Sequence, residues 1–229
     1  MTELWDAFVE ALRLIVSLDD EVVSIAWRSL RVSAASTALA ALFCIPLGGL
    51  ISFRSFHGKR LLINIIQTFY SVPTVCVGLF VFLMLSRAGP LGGLGLLFTP
   101  TAMVLGQALL ITPIMLGLTI SALSGVDKTI RDTTLSLGAS ERQAIWAIIK
   151  EARFAVGAAI VLGFGRAISE VGVAWMVGGN IKGFTRLLTT AIALDAQKGE
   201  LVLALALGVI LIAIALIVSL GVNLVQQRH

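Results

Sequence analysis

Apolar residues run along this chain in long charge-free intervals, and the charged positions fall between them in short clusters. The intervals cover residues 32–53, 61–86, about 99–125, 154–177 and 201–227. Each offers about the 20 residues that a helix rising 1.5 Å per residue needs to cross a hydrocarbon layer roughly 30 Å thick. The pattern predicts five transmembrane helices. The charge-free stretch before the third helix begins at Ala88, but its front, Gly89-Pro-Leu-Gly-Gly-Leu-Gly95, is a cluster of helix breakers and reads as a turn, not as a sixth span. The fourth interval differs from the others in holding two charges, Arg166 and Glu170.

Two polar regions carry helical signals of their own. In residues 1–20, Leu4, Trp5, Phe8, Leu12 and Ile15 recur at helical spacing opposite Glu3, Asp6 and Glu10, the pattern of an amphipathic helix. Such a helix either lies in the membrane interface or packs on the flank of its own protein. In the central loop, residues 127–153, Asp127 is placed to cap a short helix that Gly138 would close in a left-handed conformation. Ser140 and Gln143 then stand in the relation of a capping box that opens a second helix. Ala144, Ile145, Ile148, Ile149 and Ala152 line one face of that helix, with Glu141, Arg142 and Lys150 off it. The expectation is two ordered helices joined at a glycine. A disordered linker would connect the spans with less loss of conformational entropy.

Composition fixes the class. With 58% hydrophobic and 13% charged residues, against about a quarter charged in soluble domains, this is an all-α integral membrane protein. The whole chain, 1–229, reads as one transmembrane domain. The net charge of +4 is read by position, because Lys and Arg mark cytoplasmic loops and not a nucleic-acid surface. Arg54, Lys59, Arg60, Lys128, Arg131, Arg142, Lys150, Arg153 and Arg228 fall on one side of five alternating spans. Arg13, Arg28, Arg31, Arg87, Lys182, Arg186 and Lys198 fall on the other. The denser clusters place the central loop and the C-terminus in the cytoplasm and the N-terminus outside, in a multi-pass membrane protein. The acidic N-terminal stretch reads as uncleaved. Cys44 and Cys76 lie in apolar runs without metal-ligand spacing and read as small core residues, so no metal site is expected.

The chemistry available inside the membrane is sparse. Arg166 and Glu170 are four apart, on one helical face, and charges at that depth must pair or face water. They read either as an element of a translocation path or as an internal ion pair that fixes packing. Further polar candidates for a path are Thr74, Gln107, Thr112 and Ser169, near backbone loosened by Pro73 and Pro113. After the fourth span, Gly178-Gly-Asn-Ile-Lys-Gly183 leads into a segment, 185–194, too short to cross but suited to dip into the outer face. Its N-terminal amides would suit an anion, with Asn180, Thr189 and Thr190 at hand. Each of these polar side chains can also serve helix packing. His57 and His229 read as solvated, Gly163-Phe-Gly165 as a close helix contact, and Trp146 as an anchor at the bilayer or at a protein partner. No G-x-x-x-x-G-K-[ST] occurs, so no phosphate-cradling loop for ATP exists in this polypeptide.

The run Asp132-Thr-Thr-Leu-Ser-Leu-Gly138, with nine residues between Gly138 and Ile148, resembles the "EAA" loop of ATP-binding-cassette importer membrane subunits, E-A-A-x3-G-x9-I-x-L-P. Thr133 and Thr134 stand in place of its alanines, and Lys150 and Glu151 in place of its Leu-Pro ending. Cys44-Ile-Pro-Leu-Gly48, Val72-Pro-Thr-Val75 and Leu85-Ser-Arg-Ala-Gly-Pro-Leu-Gly92 resemble the molybdate, tungstate and sulfate branch of these permeases. Ile168-Ser-Glu-Val-Gly172 and Met176-Val-Gly-Gly-Asn-Ile-Lys-Gly183 resemble the tungstate type.

That resemblance implies the type I importer fold shared by methionine and molybdate permeases, with about five membrane helices. It implies a homodimer that forms the path, two copies of a cytoplasmic ATPase subunit that binds ATP and magnesium, and an oxyanion-binding protein outside. The chain itself would hold no cofactor and would not be an enzyme. Asp132, Leu135, Gly138, Ala139, Ser140, Arg142 and Trp146 would meet the ATPase. Thr74, Gln107, Arg166, Ser169, Glu170, Asn180, Thr189 and Thr190 remain the path candidates. The same architecture also serves molybdate, sulfate or methionine. A membrane enzyme is a remoter reading, since Glu170 is the lone carboxylate within a span and no His lies in one; a passive anchor is another.

Overall fold

The structure is a computed structural model that describes the backbone of residues 2–226 and the side chains of 5–127 and 129–221. All regular structure among the described residues is helical. In order the helices are α1 (Thr2–Val16), α2 (Asp20–Phe53), α3 (Lys59–Thr68), α4 (Thr74–Leu85), α5 (Pro100–Ser124), α6 (Lys128–Ser136), α7 (Glu141–Glu151), α8 (Arg153–Ile168), α9 (Gly172–Gly178), α10 (Leu188–Lys198) and α11 (Leu201–Gln226). Three of them, α2, α5 and α11, are long and apolar enough to cross a membrane. Two bent pairs bring the count to five when each is taken as one span: α3 with α4, bent by 96°, and α8 with α9, bent by 59°.

These bends revise the expected second and fourth spans, which the apolar pattern presented as continuous. In the second, Pro73 cannot donate an amide, and it holds the preceding residue, Val72, in extended backbone, φ −65° and ψ 128°. In the fourth, the helix gives way over residues 169–171. Ser169 donates its hydroxyl to Gly165 O at 2.8 Å, a bond that competes with the helical ladder. Uniform hydrophobicity records the length of a segment and not its direction.

The longest helix starts earlier than the charge-free interval, because Asp19 caps it: its carboxylate accepts from the amides of Glu21 at 3.0 Å and Val22 at 3.1 Å. This carries Arg28 and Arg31 into α2. The centre of the fold is the α2–α5 pair, with α8 and α9 against α5 and α4 against α9. Small residues permit the close approach: a Cβ on Gly48 would lie 2.7 Å from Thr119 Cγ2 across the α2–α5 contact. Gly163, from the Gly-x-Gly, likewise faces Met115 of α5. One buried cluster joins Val81, Met103, Val173 and Val177; another joins Ala40, Cys44, Ile111, Met115 and Ala167.

At the N-terminus α1 packs on α11, with Ala11 fully buried beside Val22, Leu188 and Leu207. The helix thus packs on the flank of its own protein, while Trp5 and Leu12 on its other side remain exposed. The side chains of Glu3 and Leu4, and Arg228 and His229, lie outside the described residues. Cys44 is buried and donates to Thr112 O at 3.5 Å. Cys76, expected in the core, lies on the exposed face of α4. Nothing in an apolar run separates a lipid-facing side from a protein-facing one.

Candidate functional site

The central loop folds as two short helices, each closed by its own chemistry. Asp127 accepts from the Thr129 amide at 2.8 Å and the Thr129 hydroxyl at 2.7 Å, and these bonds hold its carboxyl below the usual carboxylate range. At the other end of α6, Gly138 takes φ +84° and donates to Leu135 O at 2.9 Å. A side chain is disfavoured at that φ whatever the space. In α7 the capping box is complete: the Gln143 side chain accepts from the Ser140 amide at 2.7 Å, and the Gln143 amide donates back to Ser140 Oγ at 3.4 Å. An Arg131–Glu141 ion pair at 2.7 Å joins the two helices. Ile148 and Ala152 are buried against Leu123 and Val156, so α7 rests on the ends of α5 and α8. Its C-cap, Ala152, keeps helical φ and ψ, and α7 passes almost directly into α8. That is where the Leu-Pro of the importer motif would have broken the chain.

Inside the membrane, the two helix breaks meet. The start of α4 and the start of α9 touch: a Cβ on Gly172 would lie 2.9 Å from Thr74 Oγ1 and 3.4 Å from Glu170 Oε1. At this junction Arg166 donates to Glu170 Oε2 at 2.9 Å, while Glu170 Oε1 accepts from the Val173 amide at 3.1 Å. The carboxylate is 2% exposed and thus serves as both counter-ion to Arg166 and cap for α9, where the helix dipole favours negative charge. Its backbone carbonyl accepts from Thr189 Oγ1 at 2.7 Å, which ties α10 to the same point. Irregular backbone at membrane depth is tolerated where it is buried in protein or lines a water-filled cavity.

Residues 44–229 match the family model described as "Binding-protein-dependent transport system inner membrane component". The chain belongs to this family. It is 42% identical, over 100% of both chains, to the tungstate uptake system permease protein TupB of Peptoclostridium acidaminophilum. It is 40% identical to the TupB protein of Campylobacter jejuni, over 93% of this chain and 89% of that one. In fold it is similar to a chain in the crystal structure of a bacterial alginate ABC transporter in complex with an alginate pentasaccharide-bound periplasmic protein. There the TM-score is 0.72 at 18% identity, covering 100% of this chain and 87% of that chain. Its homologues are permease subunits of ABC transporters, so this permease is a transport component of the inner membrane rather than an enzyme.

Within the permease, the loop residues picked from sequence share one exposed surface only in part. Asp132, Gly138, Ser140 and Arg142 are exposed, and Trp146 is 71% exposed, whereas Leu135 and Ala139 are half-buried. Leu137, 82% exposed beside the glycine, was missed. An apolar residue next to the turn of a polar loop was its available signal. The path candidates also divide. Ser169 is exposed, and Thr74 and Arg166 are half-exposed. Gln107 is buried and accepts from Ser36 Oγ at 3.1 Å. Asn180 is buried, at φ +49°, and donates to Thr190 O at 3.2 Å; the Thr190 hydroxyl accepts from the Leu187 amide at 3.0 Å. The amide of Leu188 donates to Ser29 Oγ at 2.8 Å. These two amides at the head of α10, expected to be free for an anion, are therefore taken by protein hydroxyls.

Sequence reasoning also missed the strap that holds residues 179–187 down. Arg28 donates to Arg186 O and to Gly183 O, both at 3.0 Å, and Lys182 pairs with Glu21 at 2.8 Å. These contacts span more than 150 positions of sequence, and no local spacing announces them. Next to the strap, Arg28 and Arg31 line a hollow of about 510 Å³ with Trp27 and Phe184. It lies toward the start of α2, at the opposite end of that helix from the two-helix loop.

Proposed function

We propose that this permease is the membrane subunit of an ATP-driven oxyanion importer, with tungstate as the transported ion. The observation that carries the reading is the 42% identity to a tungstate uptake permease along the full length of both chains. Two copies would form the path, two copies of a separate ATPase would bind ATP and magnesium, and an oxyanion-binding protein would deliver the ion from outside. The 1–229 chain acts as one permease unit, with its N-terminus outside and its loop and C-terminus in the cytoplasm.

The capped geometry of the loop supports a coupling role. Asp132, Gly138, Ser140, Arg142, Trp146 and the neighbouring Leu137 form the exposed surface that the ATPase would grip, with Leu135 and Ala139 beneath it. Because only Ala152 separates α7 from α8, a push on the loop would pass through both helices towards the Arg166–Glu170 junction. Closure of the ATPase pair would then rock the helices between two openings as a rigid-body switch. Thr74, Ser169 and Arg166 offer an anion weak polar contacts at the junction, and Arg28 and Arg31 supply positive charge at the far mouth. Weak, serial contacts suit conduction, since a tight site would hold the ion. Gln107, Glu170, Asn180, Thr189 and Thr190 act by keeping those elements in place.

The test is binding-protein-dependent uptake of tungstate, molybdate and sulfate by the reconstituted complex, wild type against Gly138→Asp. We expect tungstate to be taken up fastest and Gly138→Asp to lose at least tenfold in uptake while still co-purifying with the ATPase. Undiminished uptake by an intact Gly138→Asp complex would sink the coupling role, and equal uptake of all three ions would sink the choice of tungstate.

A further inference from the structure

The largest of the described cavities shares only Trp146 with the surface assigned to the ATPase. A groove of about 720 Å³ runs between the end of α2 and the α7–α8 junction. Its walls are apolar: Ile45, Pro46, Leu50, Ile149, Val156 and Ile160. Its rim is basic. Arg54 stands where α2 ends and Arg153 where α8 begins, and the exposed Trp146 of α7 also lines it.

The two arginines line the groove from its two walls, Arg54 at the end of α2 and Arg153 at the start of α8. The charge-free stretch before Arg54 reaches back to Val32, and the one after Arg153 runs on to Gly165. The seven helical steps of α8 from Arg153 to Ile160 give the groove a length of roughly 10 Å at 1.5 Å per residue. No carboxylate among the described residues pairs with either guanidinium within 4.0 Å. Arg153 instead lies over the Phe154 ring at 4.7 Å, a contact that leaves the edge of the guanidinium available. Glu151 faces a neighbouring hollow, which Arg153 also borders, and does not line this groove. Lys59 adds a third positive charge near Arg54, whose carbonyl accepts from its ammonium at 3.2 Å.

We propose that this groove binds one anionic phospholipid, with an acyl chain against the apolar walls and its phosphate on Arg54 and Arg153. The charge selects the occupant. A zwitterionic lipid fills the walls equally well but brings a compensating cation to the rim. Basic pockets between membrane helices suit anionic head groups, and tryptophan is favoured at that level of the bilayer. A lipid seated there bridges the end of α2 and the helix that joins the two-helix loop to the membrane, and so braces the loop. The inference rests on the membrane location of the chain and is independent of the transported ion.

Native mass spectrometry of the full-length permease from non-ionic detergent, titrated with phosphatidylglycerol or phosphatidylcholine of the same chains, tests it. Wild type should retain phosphatidylglycerol about tenfold better than phosphatidylcholine. Arg54→Gln with Arg153→Gln should lower that retention roughly 10- to 30-fold, the size expected for two basic residues at a lipid surface. A charge-matched control at the other end, Arg13→Gln with Arg87→Gln, should leave it unchanged. Ile160→Trp, which narrows the groove and keeps both arginines, should lower retention as well and decides the matter if the double arginine variant does not fold. Equal retention of the two lipids, an equal loss in the control, or no retained lipid because a second copy or another subunit covers the groove would each overturn the proposal.

Discussion

At the scale of single residues, Glu170 carries the most. It neutralises Arg166, caps α9 and sits buried where two broken helices meet. Removing one partner of a buried ion pair costs about 3–5 kcal/mol, and the half-exposed Arg166 reduces that because water can reach it. Glu170→Ala should therefore destabilise the permease by roughly 1–3 kcal/mol, read as a lower melting temperature in detergent. Arg166→Met added to Glu170→Ala should recover part of the loss; a single variant as stable as wild type would show that the pair does not hold the junction. Asp195 offers the opposite case. Both its carboxylate oxygens are buried without a hydrogen-bond partner, with Arg186 as far as 4.0 Å away. Burial raises its carboxyl above the ordinary value, with Arg186 opposing that shift. A carboxyl raised in the folded state costs nothing below its unfolded pKa and its full penalty above its folded one. Asp195→Asn should stabilise the protein at neutral pH, and the gain should shrink as the pH falls towards 4. A gain that stayed constant with pH would assign the effect to packing.

Elements show where sequence reading succeeds and where it stops. Asp127, Gly138, Ser140 and Gln143 each act through neighbours within four positions, so the two helices and their junction at Gly138 were legible, whereas the Arg131–Glu141 pair, ten positions apart, was not. The breaks within the second and fourth spans were not. Apolar composition continues through Val72-Pro73, and the charge pair at 166 and 170 reads as helical spacing although α8 ends at Ile168. The pair still forms, because a turn beyond the helix end brings Glu170 back over Arg166. The strap from Arg28 and the burial of Asn180 depend on long-range packing, which no window of sequence contains. How tightly the elements meet can be tested at Gly106 of α5, where a Cβ would lie 2.6 Å from Val173 Cγ1 of α9. Valine has little freedom to turn aside, so Gly106→Ala should cost about 1–3 kcal/mol by forcing α5 and α9 apart. Val173→Ala in the same chain should restore most of it. If Gly106→Ala alone melts like wild type, the α5–α9 contact is looser than its geometry states.

For the whole molecule, orientation decides whether the parts can work as proposed. The loop surface around Leu137 and the hollow beside Phe184 lie at opposite ends of the structure. The face of α2 explains why: a 34-residue helix at 1.5 Å per residue is roughly 50 Å long, ample to separate the Arg28 strap from the groove at Arg54. Lys and Arg outnumber their counterparts on the loop side only nine to seven, counted over the positions given above, so charge bias alone is a weak guide to sidedness. Sided labelling settles it. In a chain lacking Cys44 and Cys76, Leu137→Cys in sealed inside-out vesicles should react with an impermeant maleimide, and Phe184→Cys should react only in right-side-out cells or spheroplasts. Reaction of both from one side would break the five-span arrangement, since it would put the loop and the strap on the same face. Reaction of each from the reverse side would leave the fold intact but turn the molecule over, with the exposed loop facing away from any cytoplasmic ATPase. Either result would remove the route by which hydrolysis could reach the Arg166–Glu170 junction. The expected result requires that route to run inward from Leu137 along α7 and α8.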